Sequence, residues 1–324
     1  MIQTNSDRLD WVDVAKGITI ILMVFGHTSI PEPLSKYIWS FHMPFFFFVS
    51  GIFYSTHKYA SFVQLLKRKI HTLALPYIFF SIIVMLGYYG TEYWHPEELY
   101  KGWSGYALWF IPVLFITEMC LYIFAKYATN KQRQYIMIVL LLIVSKVLAI
   151  NNIHLPFKID AVPLACSFVF IGYIGKYFSI NYLSSYWSLL LVALLSVVLS
   201  QILPKTGIGR NEIGWVIPNY VNALFGIFFV MQISRYLNNH CIKPCKYFLL
   251  WCGKNTLFIL AFSQLFNYWI LLVLDKIGRF HVVNILLRYI LLFAFIYITS
   301  GILKRYVPCL VGQSRGKQTL SKSN

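Results

Sequence analysis

Residues 7–27, DRLDWVDVAKGITIILMVFGH, followed by FHMPFFFFVSG at 41–51, decide how the rest of the chain is read. The first half has the length and apolarity of a membrane-crossing helix, yet it carries Asp13, Lys16 and His27 among Val, Ile, Leu, Met and Phe. An ionisable group at membrane depth costs several kcal/mol and ordinarily faces a cavity or a partner. At about 100° per residue, Lys16 and His27 fall within roughly 20° of each other on a helix, with Asp13 about 60° to one side of Lys16. Their eleven-residue separation is about 16 Å along the axis, near half the hydrocarbon thickness. One stripe thus presents a carboxylate, an ammonium and an imidazole at stepped depths, which predicts a polar cavity beside the first helix.

The bulk composition agrees with a membrane setting. The 324 residues are 58% hydrophobic and only 12% charged, where a soluble domain is about 25% charged; mean hydropathy is +0.64. The reading is an all-α, polytopic integral membrane protein. Apolar runs near residues 12–30, 37–56, 72–90, 105–125, 135–150, 160–178, 185–203, 215–236, 255–274 and 283–303 predict about ten transmembrane helices. An even number places both termini on one side. Counted that way, 19 of the 28 basic residues fall in the segments sharing the termini, and the positive-inside rule makes that side cytoplasmic. The expected layout is one transmembrane domain over 1–305 and a polar cytoplasmic tail over 306–324, multi-pass in the cell inner membrane. MIQTNSDRLD lacks a basic leader region, so the first helix is expected to be retained. The net charge of +17 has no basic arm or recognition fold to make it a nucleic-acid surface. The six cysteines match no zinc pattern and are expected as free thiols.

Four segments carry a resemblance. RLDWVDVAKGITIILMVFGH (8–27), FHMPFFFFVSG (41–51), LWFIPVLFITE (108–118) and GKNTLFIL (253–260) together resemble the bacterial membrane-bound acyltransferase family three, whose members are mostly O-acetyltransferases of polysaccharides and other cell-surface glycans. The resemblance spans residues 8 to about 305 and includes a basic residue, ten intervening residues and a histidine, Lys16 to His27. Family members often carry two arginines three residues apart ahead of the third helix; Lys67, Arg68, Lys69 and His71 stand in that region here. They also often place a histidine after the GKNTL-like segment, where this chain has Ser263 and Gln264.

The resemblance implies transfer of an acetyl group from cytosolic acetyl-CoA, as co-substrate, to a sugar hydroxyl of a surface polysaccharide or lipid-linked glycan. Histidine suits the removal of a hydroxyl proton because its ordinary pKa of about 6.5 lies near working pH. His27 is therefore the candidate base, or is itself transiently acetylated; a helix-packing histidine is the plain alternative. Either Lys16 faces the donor's path with Asp13 orienting it, or the two form an ion pair that makes the helix tolerable near the inner interface. Glu118, near the middle of the fourth span, either fixes the His27 tautomer, as the acid does in a triad, or makes a structural hydrogen bond. His42 binds acceptor or sits at the interface, and Trp109 walls the cavity on the strength of the resemblance alone. Lys67, Arg68 and Lys69 are topology signals that can also bind donor phosphates. No third ligand accompanies His27 and His42, so no metal is expected. The rival class is a small-solute exporter whose buried charges line a permeation path.

Overall fold

The computed structural model describes residues 10–55, 58–95, 107–128, 130–176, 186–277 and 281–312. Its helices are α1 (Asp10–Gly26), α2 (Glu32–Ile52), α3 (Phe62–Lys69), α4 (Leu75–Gly87), α5 (Phe110–Tyr127), α6 (Lys131–Ile150), α7 (Val162–Gly175), α8 (Tyr186–Ile202), α9 (Val216–His240), α10 (Lys243–Lys254), α11 (Thr256–Ile277) and α12 (His281–Tyr306). Among the described residues there is no strand, only one antiparallel bridge between Gly207 and Glu212. The architecture is all-α and multi-pass.

Each of the ten apolar runs coincides with a helix, but the number of full-length apolar spans is lower than ten. Among the described residues seven helices are long and apolar enough to cross a membrane. The shortfall has a physical cause in each case. α1 has 17 residues, the apolar stretch of α8 runs only over Trp187–Ile202, and α2 is long but diluted by Glu32, Lys36, His42 and the serines beside them.

The third span begins earlier than its apolar run suggests. Ser61 caps α3 by accepting the Gln64 backbone N–H at 3.2 Å, so the basic residues 67–69 lie inside the helix. A π-helical turn over Ile70–Ala74 joins α3 to α4 just ahead of Pro76. A proline ring clashes with the carbonyl four residues back and donates no hydrogen bond; a π-turn is where that misfit is absorbed. The candidate span is consequently Phe62–Gly87. Asp160 opens the sixth span as expected: buried, it accepts the Leu155 backbone N–H at 3.0 Å and holds the 3₁₀ turn Pro156–Ala161 that leads into α7. The predicted tail is described only through Gly312; residues 313–324 lie outside the described residues.

The chain forms two compact units. The first comprises Met1–Tyr54, Ile138–Asn152 and Ser167–Thr256; the second comprises Ser55–Met137, Ile153–Cys166 and Leu257–Asn324. Within the first, helices touch backbone to backbone at glycines. A Cβ on Gly253 would overlap the Asp13 carbonyl and one on Gly17 the Leu249 carbonyl, which locks α1 against α10. Val14, Leu249 and Leu250 fill that contact, with Ile18, Ile21, Leu237 and Cys245 around them. Gly51 and Gly172 make the same kind of approach between α2 and α7, against the carbonyls of Val169 and Phe48. Small residues permit such closeness where lipid supplies no hydrophobic drive between helices. The second unit packs through side chains instead: Phe80 meets Phe258 and Phe262 at 5.4 Å each, and Trp269 donates to the Gly87 carbonyl at 2.9 Å.

Candidate active site

In the first unit α1 delivers His27 one residue past its last turn, where the His27 backbone N–H still reaches the carbonyls of Met23 and Val24 at 3.2 Å. The His27 Nδ1 lies 2.8 Å from the Met23 carbonyl oxygen. A carbonyl only accepts, so Nδ1 carries the hydrogen and Nε2 is left with its lone pair. His42, on α2, repeats the arrangement with Ile38: Nδ1 donates to that carbonyl at 2.8 Å. Its side chain is buried at 1% exposure, and its Nε2 has no hydrogen-bond partner among the described residues. The two imidazoles are 6.3 Å apart, edge to face.

Trp39 packs against both, its ring centroid 5.1 Å from His27 and 5.3 Å from His42, so the three rings form a triangle. Its Nε1–H donates to the Gly26 carbonyl at 3.0 Å, tying the start of α2 to the end of α1. Lys205 Nζ and Arg210 Cζ lie 5.2 and 5.7 Å from the same indole. Two imidazole nitrogens able to accept a hydroxyl proton thus sit beside an aromatic wall and two cations. This arrangement suits proton removal from a polar acceptor.

The predicted residues divide between the two units. Asp13, Lys16, His27 and His42 lie in the first; Lys67, Arg68, Lys69, Trp109 and Glu118 lie in the second. Asp13 is buried at 2% exposure, with its backbone against Gly253, and Lys16 is half-buried one turn further on. The structure brings His27 and His42 together. It pairs Glu118 with Lys69 in a largely buried ion pair, while the Met23 carbonyl supplies the hold on the His27 tautomer that the sequence had sought in Glu118. Lys67 and Arg68 are exposed. Lys58 and Arg68 flank the Tyr59 ring at 5.9 and 5.8 Å. Partial burial, then the Arg68 and Lys69 charges, hold the Lys58 ammonium below its ordinary range, with Glu118 pulling the other way. Trp109 is half-buried in the 3₁₀ turn that opens α5 and meets Phe110 edge to face. Among the described residues no group of three or more His, Cys, Asp or Glu side chains is placed to hold a metal ion.

A family model for the acyltransferase domain of acyltransferase family 3 matches residues 9–305. The chain belongs to this family. No curated protein and no solved structure matches it. The protein is accordingly a multi-pass membrane acyltransferase, and the segments that first suggested it acquire physical roles. Gly51 of the second-helix segment and Gly253 of the GKNTL segment are sites of backbone contact between helices. Lys16 lies on α1 of this acyltransferase, and His27 follows the helix's last residue.

Three residues at the site escaped the sequence reading: Trp39, Lys205 and Arg210. Trp39 had a signal, since it lies three residues before His42 and so on the same helical face. Lys205 and Arg210 had none, being more than 160 residues from Trp39 in the chain.

Proposed function

We propose that this acyltransferase moves an acetyl group from cytosolic acetyl-CoA to a sugar hydroxyl of a surface polysaccharide or lipid-linked glycan at the cell inner membrane. The observation that carries the reading is the His27 imidazole, protonated at Nδ1 by its bond to Met23 and open at Nε2 beside Trp39 and His42. In the direct route Nε2 takes the hydroxyl proton as the sugar oxygen attacks the thioester carbonyl. The C–S bond then breaks, and the departing thiolate takes that proton from the imidazolium. In the two-step route Nε2 attacks the thioester first and the C–S bond breaks to release the thiolate. The sugar oxygen then takes the acetyl group as the N–C bond breaks, and the freed Nε2 passes the hydroxyl proton to the thiolate. Both use the same nitrogen.

Lys67, Arg68 and Lys58 are the cations assigned to the donor's phosphates, in charge-assisted contacts. Lys69 is already committed to Glu118. The backbone-held tautomer keeps the base ready without a carboxylate to orient it.

Membrane vesicles containing the protein, given radiolabelled acetyl-CoA at the cytosolic face, are expected to form acceptor-linked label. A preparation that moves solute and never labels an acceptor contradicts the proposal and favours an exporter. Mass analysis of surface glycans from a deletion strain should show the loss of one acetyl substituent.

A further inference from the structure

The segment joining α8 to α9 is built to hold two cations still. Gly207 and Glu212 exchange backbone hydrogen bonds at 2.8 and 3.1 Å. They enclose a 3₁₀ turn, Ile208–Arg210, with Asn211 in the left-handed region at φ 58°. Buried Asn219 pins both ends: its Nδ2 donates to the Pro204 carbonyl and its Oδ1 accepts the Trp215 backbone N–H, each at 2.9 Å. Lys146 adds a third brace, donating to the Gly214 carbonyl at 3.0 Å.

That brace holds exposed Lys205 and Arg210 at one indole, the one beside His27. Lys205 Nζ also lies 3.5 Å from Ser35 Oγ. Neither cation makes an ion pair among the described residues. Glu212, the acid of the same turn, has a carboxylate oxygen near Gly207, on the side where Arg210 Cβ and the Trp39 ring edge also approach, without pairing with either cation among the described residues. Two like charges gathered around one ring repel each other, and an anion placed between them relieves the repulsion through charge-assisted hydrogen bonds. The indole offers a flat apolar surface of the kind a sugar ring packs against.

We infer that the acceptor is an anionic sugar, its carboxylate or phosphate held by Lys205 and Arg210 while its ring rests on Trp39 and its hydroxyl faces Nε2 of His27. The inference rests on the acetyl-transfer reading for the identity of the site, but its test does not depend on turnover. Full-length protein in lipid nanodiscs is titrated, at low and high salt, with three probes: a galacturonate oligosaccharide, the same oligosaccharide with its carboxyls reduced, and glucose 1-phosphate. At least one anionic probe should bind, and salt should weaken it; the reduced oligosaccharide should not compete. The source of the charge follows from which anionic probe wins. Lys205→Gln and Arg210→Gln should each weaken binding roughly tenfold and the double variant roughly a hundredfold, with partial recovery in Arg210→Lys. Both positions are exposed, so these variants should fold. Equal binding of acidic and reduced oligosaccharides, wild-type binding by the double variant, or no binding of either anionic probe would overturn the inference. Intact anion binding with no acceptor-linked label from acetyl-CoA would instead overturn the transfer reading alone.

Discussion

The two units solve the same problem, keeping polar groups inside a membrane protein, by different means. In the first, glycines bring backbones into contact, and each imidazole is tied to the carbonyl one turn back on its own helix. In the second, aromatic side chains fill the space and the buried carboxylate is neutralised by Lys69 from another helix. Backbone contact is unforgiving and precise. Side-chain packing is adjustable. The two imidazoles sit in the unforgiving unit, where a ring can be held in one geometry.

The contrast can be broken most severely at Gly253. Gly253→Val puts a side chain into the Asp13 carbonyl, and backbone cannot yield as a rotamer can. Size-exclusion chromatography of the detergent-extracted variant should show no monodisperse protein. Glu118→Ala comes next. It leaves the Lys69 charge without its partner in a largely buried place, a loss of about 3–5 kcal/mol. Thermal unfolding in detergent should register it, and Lys69→Met with Glu118→Leu should recover most of the loss. His42→Phe should spare the fold, because it replaces a buried nitrogen that no described residue satisfies with an apolar ring. If Nε2 of His42 receives an acceptor hydroxyl, transfer in this variant should fall roughly tenfold; unchanged kinetics would confine His42 to packing. The mildest change is Gly87→Ala in the second unit, whose added methyl meets the flexible end of the Leu265 side chain first. Unfolding should shift by less than about 1 kcal/mol, and a collapse like that of Gly253→Val would erase the distinction between the units.

Much of the first unit's site was legible because its geometry is local. The eleven-residue spacing of Lys16 and His27, and the place of His42 at the start of the next apolar run, follow from helical periodicity alone. The tautomer is equally local, a bond to the residue four back, though imidazole direction is not written in the spacing. What stayed hidden depends on distant pairing. Glu118 was recognised as an intramembrane acid, but its bond to Lys69 joins residues 49 apart. Arg210 reaches Trp39 from a loop that periodicity does not describe. α10 was overlooked for another reason: Lys243–Lys254 is short and amphipathic, so a search for long apolar runs passes it by, although Pro244 in its first turn is an ordinary helix-start signal. Among the described residues fewer helices reach full spanning length than the ten apolar runs suggest, because α1 has 17 residues, α8 is apolar only over Trp187–Ile202, and α2 carries Glu32 and Lys36.

Acetyl transfer by His27→Ala, measured with radiolabelled acetyl-CoA in vesicles matched for folded protein, tests the central claim most directly. The imidazole lies at a helix end and is half-buried, so the variant should accumulate normally while acceptor-linked label falls by about 100- to 10,000-fold. Label formed at the wild-type rate would show that the Nε2 of His27 is not the reacting group.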